Sequence, residues 1–259
     1  LEPLRGMPLV TLNCSGNDLA SLEPLKGMPL TVIHCGENKI ASLEPLRGMD
    51  LTMLSCQDNR IASLQPLKGM VLGSLTCGRN QLTSLAPFIE KPPENFLFDC
   101  DSLPVHELQD VRVRWSRDFR FSAHAKSIEV ILALRQGQPE KLRAMTAAFN
   151  GHRYLFIPKF LRWEEARDFC EKMGGHLLTI SSEAENEFVT SMFKNGCWAW
   201  MGLVTSDSGY SWITGQPVTY LNFVDALQER KKGPKVVSSR WVRDDVAQAC
   251  NGFIIQWDS

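Results

Sequence analysis

The chain has 259 residues, 44% hydrophobic and 22% charged, with a formal net charge of -1. That length suits two ordinary domains, and near-neutrality removes the global electrostatic case for nucleic acid or an anionic membrane. No apolar run approaches the roughly 20 residues that span a bilayer, so no membrane span is expected in this chain. Without an initiator Met or a signal-peptide pattern, and with Leu1 inside a repeat, the sequence reads as a fragment or processed chain.

The amino-terminal third repeats. LEPLRGMPLVTLNCSGNDLAS is followed by LEPLKGMPLTVIHCGENKIAS, LEPLRGMDLTMLSCQDNRIAS and LQPLKGMVLGSLTCGRNQLTS. Cys14, Cys35, Cys56 and Cys77 are 21 apart, as are Asn17, Asn38, Asn59 and Asn80. The shared pattern L-x-x-L-x-C-x-x-N-x-L resembles the leucine-rich repeat family, in a bacterial form with Cys at an apolar position. Each unit is expected to give one short strand with leucines inward and an Asn that satisfies backbone groups at the next turn. Pro3, Pro24, Pro45, Pro66 and Pro87, with Gly6, Gly27, Gly48 and Gly69, shape a return segment too short for a full helix. One unit cannot bury its own apolar face, so stability must come from stacking.

The cysteines are expected to form a column of small hydrophobes, not a redox or metal array. Strands about 4.8 Å apart point neighbouring thiols the same way, which is poor disulfide geometry. PENFLFDCDSL reads as a degenerate last rung, with Cys100 in the same role and Phe96 and Phe98 widening the end. Thr11, Asn13, Val32, His34, Met53, Ser55, Ser74 and Thr76 should face outward. They include no aromatic or Arg anchor, which favours a scaffold role over recognition.

From about Pro104 to Asn150 the pattern predicts helices that shield the ladder's end and join it to a second domain. SIEVILALRQG should cap at Gly137. PEKLRAMTAAFNG should start at Pro139 and carry Leu142, Met145 and Phe149 on one face, with Gly151 closing it. VRVRWSRDFR carries Arg112, Arg114, Arg117 and Arg120. Its interleaved Val, Trp and Phe predict a half-buried strand or docking segment in preference to a nucleic-acid arm.

In RWEEARDFCEKMGGHLLTISS, Ala166, Phe169, Cys170 and Met173 fall at helical spacing, and Gly174 and Gly175 stop the helix. HLLTI reads as a strand, and SSEAENEFVTSMF as a second helix with Ser182 and Glu185 as a capping box. AWMGL is a core strand, SGYSWITGQPVTYLNF a Trp-bearing hairpin, and FIIQWD closes the chain. In this order the run resembles the C-type lectin-like domain over residues 151–259. Trp200, Gly202 and Trp212 stand at fold-determining positions, so the resemblance argues architecture before ligand.

Calcium-dependent members of that family hold the ion with an acidic-Pro-Asn triplet and a Trp-Asn-Asp triplet, and calcium wants six to eight oxygens. Here Leu227-Gln228-Glu229 and Val242-Arg243-Asp244 stand at those places, and Gln256 stands where many relatives carry Glu. Arg230, Lys231, Lys232 and Lys235 crowd the same segment and oppose a cation. No metal and no cofactor is therefore expected, and Asp244 and Asp245 should pair with Arg240 or Arg243 or stay in water. The family's usual disulfide joins the first helix to the last strand. Cys170 matches one position, but Ile255 holds the other. A Cys197–Cys250 bridge, a Cys170–Cys250 bridge and free thiols all stay open.

There is no HExxH, GxSxG or phosphate-cradling glycine loop, the histidines are scattered, and Glu183 and Glu185 sit where carboxylates favour a helix dipole. No enzyme is expected in these residues. The reading is an α+β chain: a leucine-rich repeat solenoid at 1–103, a helical connector at 104–150, and a C-type lectin-like domain at 151–259. It would bind a protein or glycan ligand through Glu229, Arg230, Lys231, Lys232, Lys235, Arg240, Arg243, Asp244 and Asp245, and the cations Arg230, Lys231, Lys232 and Lys235 would suit an anionic one. The competing reading is a structural spacer of a signalling protein. Domain type alone favours the cell surface or secretion. Exposed Trp198, Trp241 or Phe223 would favour binding.

Overall fold

Each 21-residue unit builds the same local structure. A proline inside a short 3-10 turn opens it, at Glu2–Leu4, Glu23–Leu25, Glu44–Leu46, Gln65–Leu67 and Ala86–Phe88. There the fixed φ of proline is an asset and its missing N–H costs nothing. Glycines with φ near +72 to +84° then turn the chain in the first four units, a conformation cheap only for glycine. Three-residue strands follow: β1 (Thr11–Asn13), β2 (Val32–His34), β3 (Met53–Ser55), β4 (Ser74–Thr76) and β5 (Asn95–Leu97). They pair in parallel, in chain order, each shifted by one whole unit. The computed structural model describes residues 1–192, 198–206, 209–220, 234–237, 240–243 and 252–258.

Leu54 and Leu75 at the strand centres are fully buried, as Leu25, Leu46 and Leu67 of the turns are. The alternate strand residues are half-buried or exposed, as alternation requires. The asparagines tie the units together. Asn59 donates from Nδ2 to the carbonyls of Cys35 (3.0 Å), Cys56 (3.1 Å) and Gln57 (3.2 Å), and its Oδ1 accepts the Ile40 N–H at 2.9 Å. Asn38 and Asn80 repeat the arrangement. Cys14, Cys35, Cys56, Cys77 and Cys100 are buried free thiols, and burial pushes Cys35, Cys56 and Cys77 up from the ordinary thiol range.

The segment read as a half-buried strand is helical. Helix α1 (Val105–Ser116) contains VRVRWS and buries Leu108, Val111 and Trp115, spaced by three and four residues, while Val113 is exposed. The docking role survives the correction. Trp115 packs on Phe96 and Phe98 of the last rung and donates its indole N–H to the Ile89 carbonyl at 2.9 Å. Glu107 accepts the Leu85 N–H at 2.6 Å and the Ser84 hydroxyl at 2.9 Å. Helix α2 (Ser122–Arg135) ends as expected at Gly137, whose φ is +61°.

Two compact units result, Leu1–Leu132 and Ala133–Ser259, with the division inside α2. In the second, α3 (Pro139–Ala144) is shorter than the pattern predicts. Residues expected to continue it form strand β6 (Ala147–Phe149), paired with β7 (His152–Ile157). The reason is the turn between them: Asn150 and Gly151 both adopt positive φ, +48° and +83°, as a two-residue Asn-Gly hairpin demands. Helix α4 (Trp163–Lys172), β8 (His176–Leu177), α5 (Glu183–Ser191), β9 (Trp198–Trp200), and the hairpin β10 (Leu203–Ser206) and β11 (Gly209–Trp212) follow in the expected order. After them come β12 (Pro234–Val237), β13 (Arg240–Arg243) and β14 (Gly252–Trp257).

Among the described residues the main sheet runs β13-β12-β9-β14-β7-β6, with β8 also on β14. Residues Gly252 to Gln256 of the central β14 are all buried. Its core side gathers Tyr154, Ile180, Ala199, Met201, Trp212 and Ile254. The adjacent glycines after α4 have different reasons. Gly174 has φ +73° and ends the helix, whereas a Cβ on Gly175 would stand 2.6 Å from the Gln256 carbonyl.

Candidate functional site

The positively charged segment 224–243 reads from sequence as a variable loop. Its later half is instead the β12–β13 hairpin at the edge of the main sheet. Lys235 stands opposite Val242 on one side and Trp200 of β9 on the other; Arg240 stands opposite Val237, and Arg243 opposite Pro234. Directly opposed residues share a face and successive residues alternate. Glu229, Arg230, Lys231, Lys232, Asp244 and Asp245 lie outside the described residues, as do Phe223, Cys197 and Cys250. The side chains of Trp198 and Trp241 do too, so the expectations resting on them receive no structural account.

Part-buried indole hydrogen bonds fix the strands beside this hairpin. The Trp200 indole donates to the Leu161 carbonyl at 2.7 Å, Trp163 to Met201 at 2.8 Å, and Trp257 to Met173 at 3.0 Å. Gly202 lets the chain pass where a Cβ would stand 2.9 Å from the Leu177 carbonyl. Trp212 is buried in the core cluster.

Glu185 does more than cap its helix. The Ser182 hydroxyl accepts the Glu185 N–H at 3.2 Å, one arm of the expected box. The carboxylate reaches Ser181 instead, accepting its N–H and its hydroxyl at 2.7 Å each, and accepts the Tyr154 hydroxyl at 2.5 Å. Both residues are buried. Burial, and then the carboxylate facing it, push the Tyr154 phenol up, so it stays a donor. The Glu185 carboxylate is thus fully engaged by protein donors.

The calcium question is tested at two positions. Gln256 is buried, and its Oε1 already accepts the Thr179 N–H at 2.9 Å and hydroxyl at 3.1 Å. Arg243 brings no oxygen donor from its side chain. These residues do not fit the family's ion. Among the described residues no group of three or more His, Cys, Asp or Glu side chains is placed to hold a metal. No helix there is long and apolar enough to cross a membrane. Cys170, at the family's disulfide position, is a buried free thiol pushed up by burial.

Two features escaped the sequence. Asp258 lies 2.8 Å from His152 Nδ1 and 3.3 Å from His176 Nε2, beside β7 and β8. The scattered histidines carried no signal of it, because the partners are far apart in sequence. An open cleft of about 340 Å³ lies along α4, lined by Lys159, Leu161, Glu165, Asp168, Phe169 and Lys172. Its α4 residues follow helical spacing, a signal that was available.

Residues 160–249 match the family model described as Lectin C-type domain. Human C-type lectin domain family 17, member A is 37% identical over 73 residues, 27% of this chain and 19% of that protein. Snaclec botrocetin subunit beta of Bothrops jararaca is 26% identical over 102 residues, 37% of this chain and 82% of that one. The solved cow C-type carbohydrate-recognition domain of CD23 superposes with a TM-score of 0.41 at 23% identity, covering 44% of this chain and 94% of that one. The chain thus spans about a fifth of the human relative's length. Its second unit carries a C-type lectin domain.

Proposed function

We propose that this chain is a non-enzymatic binding module whose lectin domain grips a protein or glycan ligand without calcium, through the segment 224–243 and the residues just after it. The observation that carries the reading is the Lectin C-type match over residues 160–249, joined to a sequence in which Arg243 stands where calcium-dependent members carry a ligand amide and Arg230, Lys231, Lys232 and Lys235 crowd the same segment. Arg230, Lys231, Lys232, Lys235, Arg240 and Arg243 suit sulfate, carboxylate or phosphate groups of an anionic ligand. Glu229, Asp244 and Asp245 at its margin would restrict which anions fit.

The remaining divisions are part of the same proposal. Residues 1–103 act as a short leucine-rich repeat solenoid and 104–150 as a connector. Residues 151–259 act as the ligand-bearing domain of a larger bacterial surface protein. The ladder serves as scaffold, because its outward strand residues are mostly small and polar.

A sulfated and sialylated glycan array tests the site. The chain should bind anionic glycans equally with calcium and with a chelator. Replacing Arg230, Lys231, Lys232 and Lys235 with Ser should weaken that binding about tenfold or more. An unmodified chain with no preference for anions over neutral glycans sinks the proposal.

A further inference from the structure

Three strands of the second unit meet at the Asp258 carboxylate, which directly follows β14. Its Oδ1 lies 2.8 Å from His152 Nδ1 on β7, and its Oδ2 lies 3.3 Å from His176 Nε2 on β8. His152 Nδ1 is buried and has no other partner among the described residues. His176 is caught between two oxygens, because its Nδ1 is 2.8 Å from the Leu177 carbonyl. A carbonyl and a carboxylate can only accept, and a neutral imidazole has one N–H to give. Whichever nitrogen of His176 holds that proton, the other turns a lone pair on an oxygen. A ring protonated at both nitrogens donates to both.

The charged groups nearby are engaged elsewhere. On β7, Arg153 bonds the Thr146 hydroxyl at 3.0 Å, and the Tyr154 phenol, whose ring meets His152 edge to face, donates to Glu185. On β14, Gln256 stands opposite His176 in register, is uncharged, and accepts from Thr179 through its Oε1. On α4, which packs against β8, Arg167 pairs with Asp168 and Glu171. Among the described residues no further ion pair reaches His152, His176 or Asp258.

We infer that His152, His176 and Asp258 form a proton-dependent clasp, closed on the end of β14 in acid and loosened as pH rises through neutrality. Histidine is the side chain that changes charge between pH 5 and 8, and a carboxylate stays charged across that range. In acid, two imidazolium rings face one carboxylate, and both nitrogens of His176 have an acceptor. As the second proton leaves, the attraction goes and His176 turns a lone pair on Oδ2 or on the Leu177 carbonyl. The clasp therefore adds stability that is present below about pH 6 and lost above it. What it holds is the last part of the β7–β14 pairing, Gln256 opposite Tyr154 and Trp257 opposite Arg153. The side chains are 18% exposed at His176, 33% at His152 and 48% at Asp258, so solvent screening keeps the effect to several-fold.

Native-state hydrogen exchange of the full chain, corrected for the intrinsic effect of pH, reads this opening at the protected amides of residues 153–155 and 255–257. From pH 5.5 to 8 these should open about five- to tenfold more readily. Asp258→Asn removes the shared charge and should flatten that dependence. His176→Gln puts in an amide that donates to Asp258 without titrating, and it should keep only the smaller slope due to His152. A purely structural contact would shift exchange equally at every pH in both variants. Equal slopes in the unmodified chain and both variants overturn the inference, and so does an unmodified chain that opens more readily in acid.

Discussion

Replacing Asn59 with Ala tests whether the side-chain amides hold the ladder. The substitution removes four hydrogen bonds, three from Nδ2 and one to Oδ1. The losses are unequal. The Cys35 carbonyl keeps Asn38 and the Cys56 carbonyl keeps Asn80, so each retains a donor. The Ile40 N–H, by contrast, loses its Oδ1 partner in a buried place. At about 0.5–1 kcal/mol for each shared bond and about 1–3 kcal/mol for the orphaned amide, the expected cost is about 3 kcal/mol. Asn17→Ala should cost about 1 kcal/mol or less, because Asn17 makes two bonds within its own rung and no amide depends on its Oδ1. Asn59→Asp should be at least as harmful as Ala, since it aims a carboxylate oxygen at three carbonyl oxygens. Native-state hydrogen exchange at Ile33, Leu54 and Leu75 measures the opening free energy of the ladder. If Asn59→Ala falls within 1 kcal/mol of Asn17→Ala, or if Asn59→Asp is silent, the amides are not what holds the rungs.

Glu37 has φ +55° where the first rung has Gly16 at +68°, so Glu37→Gly should stabilise the ladder by about 0.5–1 kcal/mol in the same exchange experiment. A loss of stability would refute the strain argument. Gly202→Ala should destabilise the lectin domain by about 1–3 kcal/mol in urea, because the new methyl meets the Leu177 carbonyl at 2.9 Å and Ile213 at 2.7 Å. Burial raises the Cys35, Cys56 and Cys77 thiols above their unfolded values. Their stabilisation is therefore complete below pH about 8.5 and is lost as pH rises beyond it, by up to about 1.4 kcal/mol per pH unit for each thiol. A ladder opening energy that is flat from pH 8 to 10.5 contradicts this.

Much of this architecture was legible because it is local. A ladder rung closes within 21 residues, so its turn, strand and amide appear as adjacent letters. Ser182 shows its helix start in the same way. The errors came from ambiguous periods. Val111, Val113 and Trp115 alternate as a strand would, yet Leu108, Val111 and Trp115 also fit a helical stripe, and packing on Phe96 and Phe98 decided for the helix. Ala147 and Ala148 favour a helix, but the Asn150-Gly151 turn outweighs that propensity once β7 is there to pair. Within 224–243, Val236, Val237 and the Trp241-Val242 pair carried a strand signal hidden among the cations. The polar pins of the lectin domain were illegible for another reason. Glu185 meets Tyr154, and Gln256 meets Thr179, across 31 and 77 residues, and no short window contains both partners.

Those long-range pins bear on how a binding edge could work. The β12–β13 hairpin hangs from β9, and β9 is held on its other side by β14 in parallel and by the Trp200 indole on Leu161. Trp257 and Gln256 of β14 are in turn bonded to Met173 and Thr179, so the sheet cannot slide without breaking buried bonds.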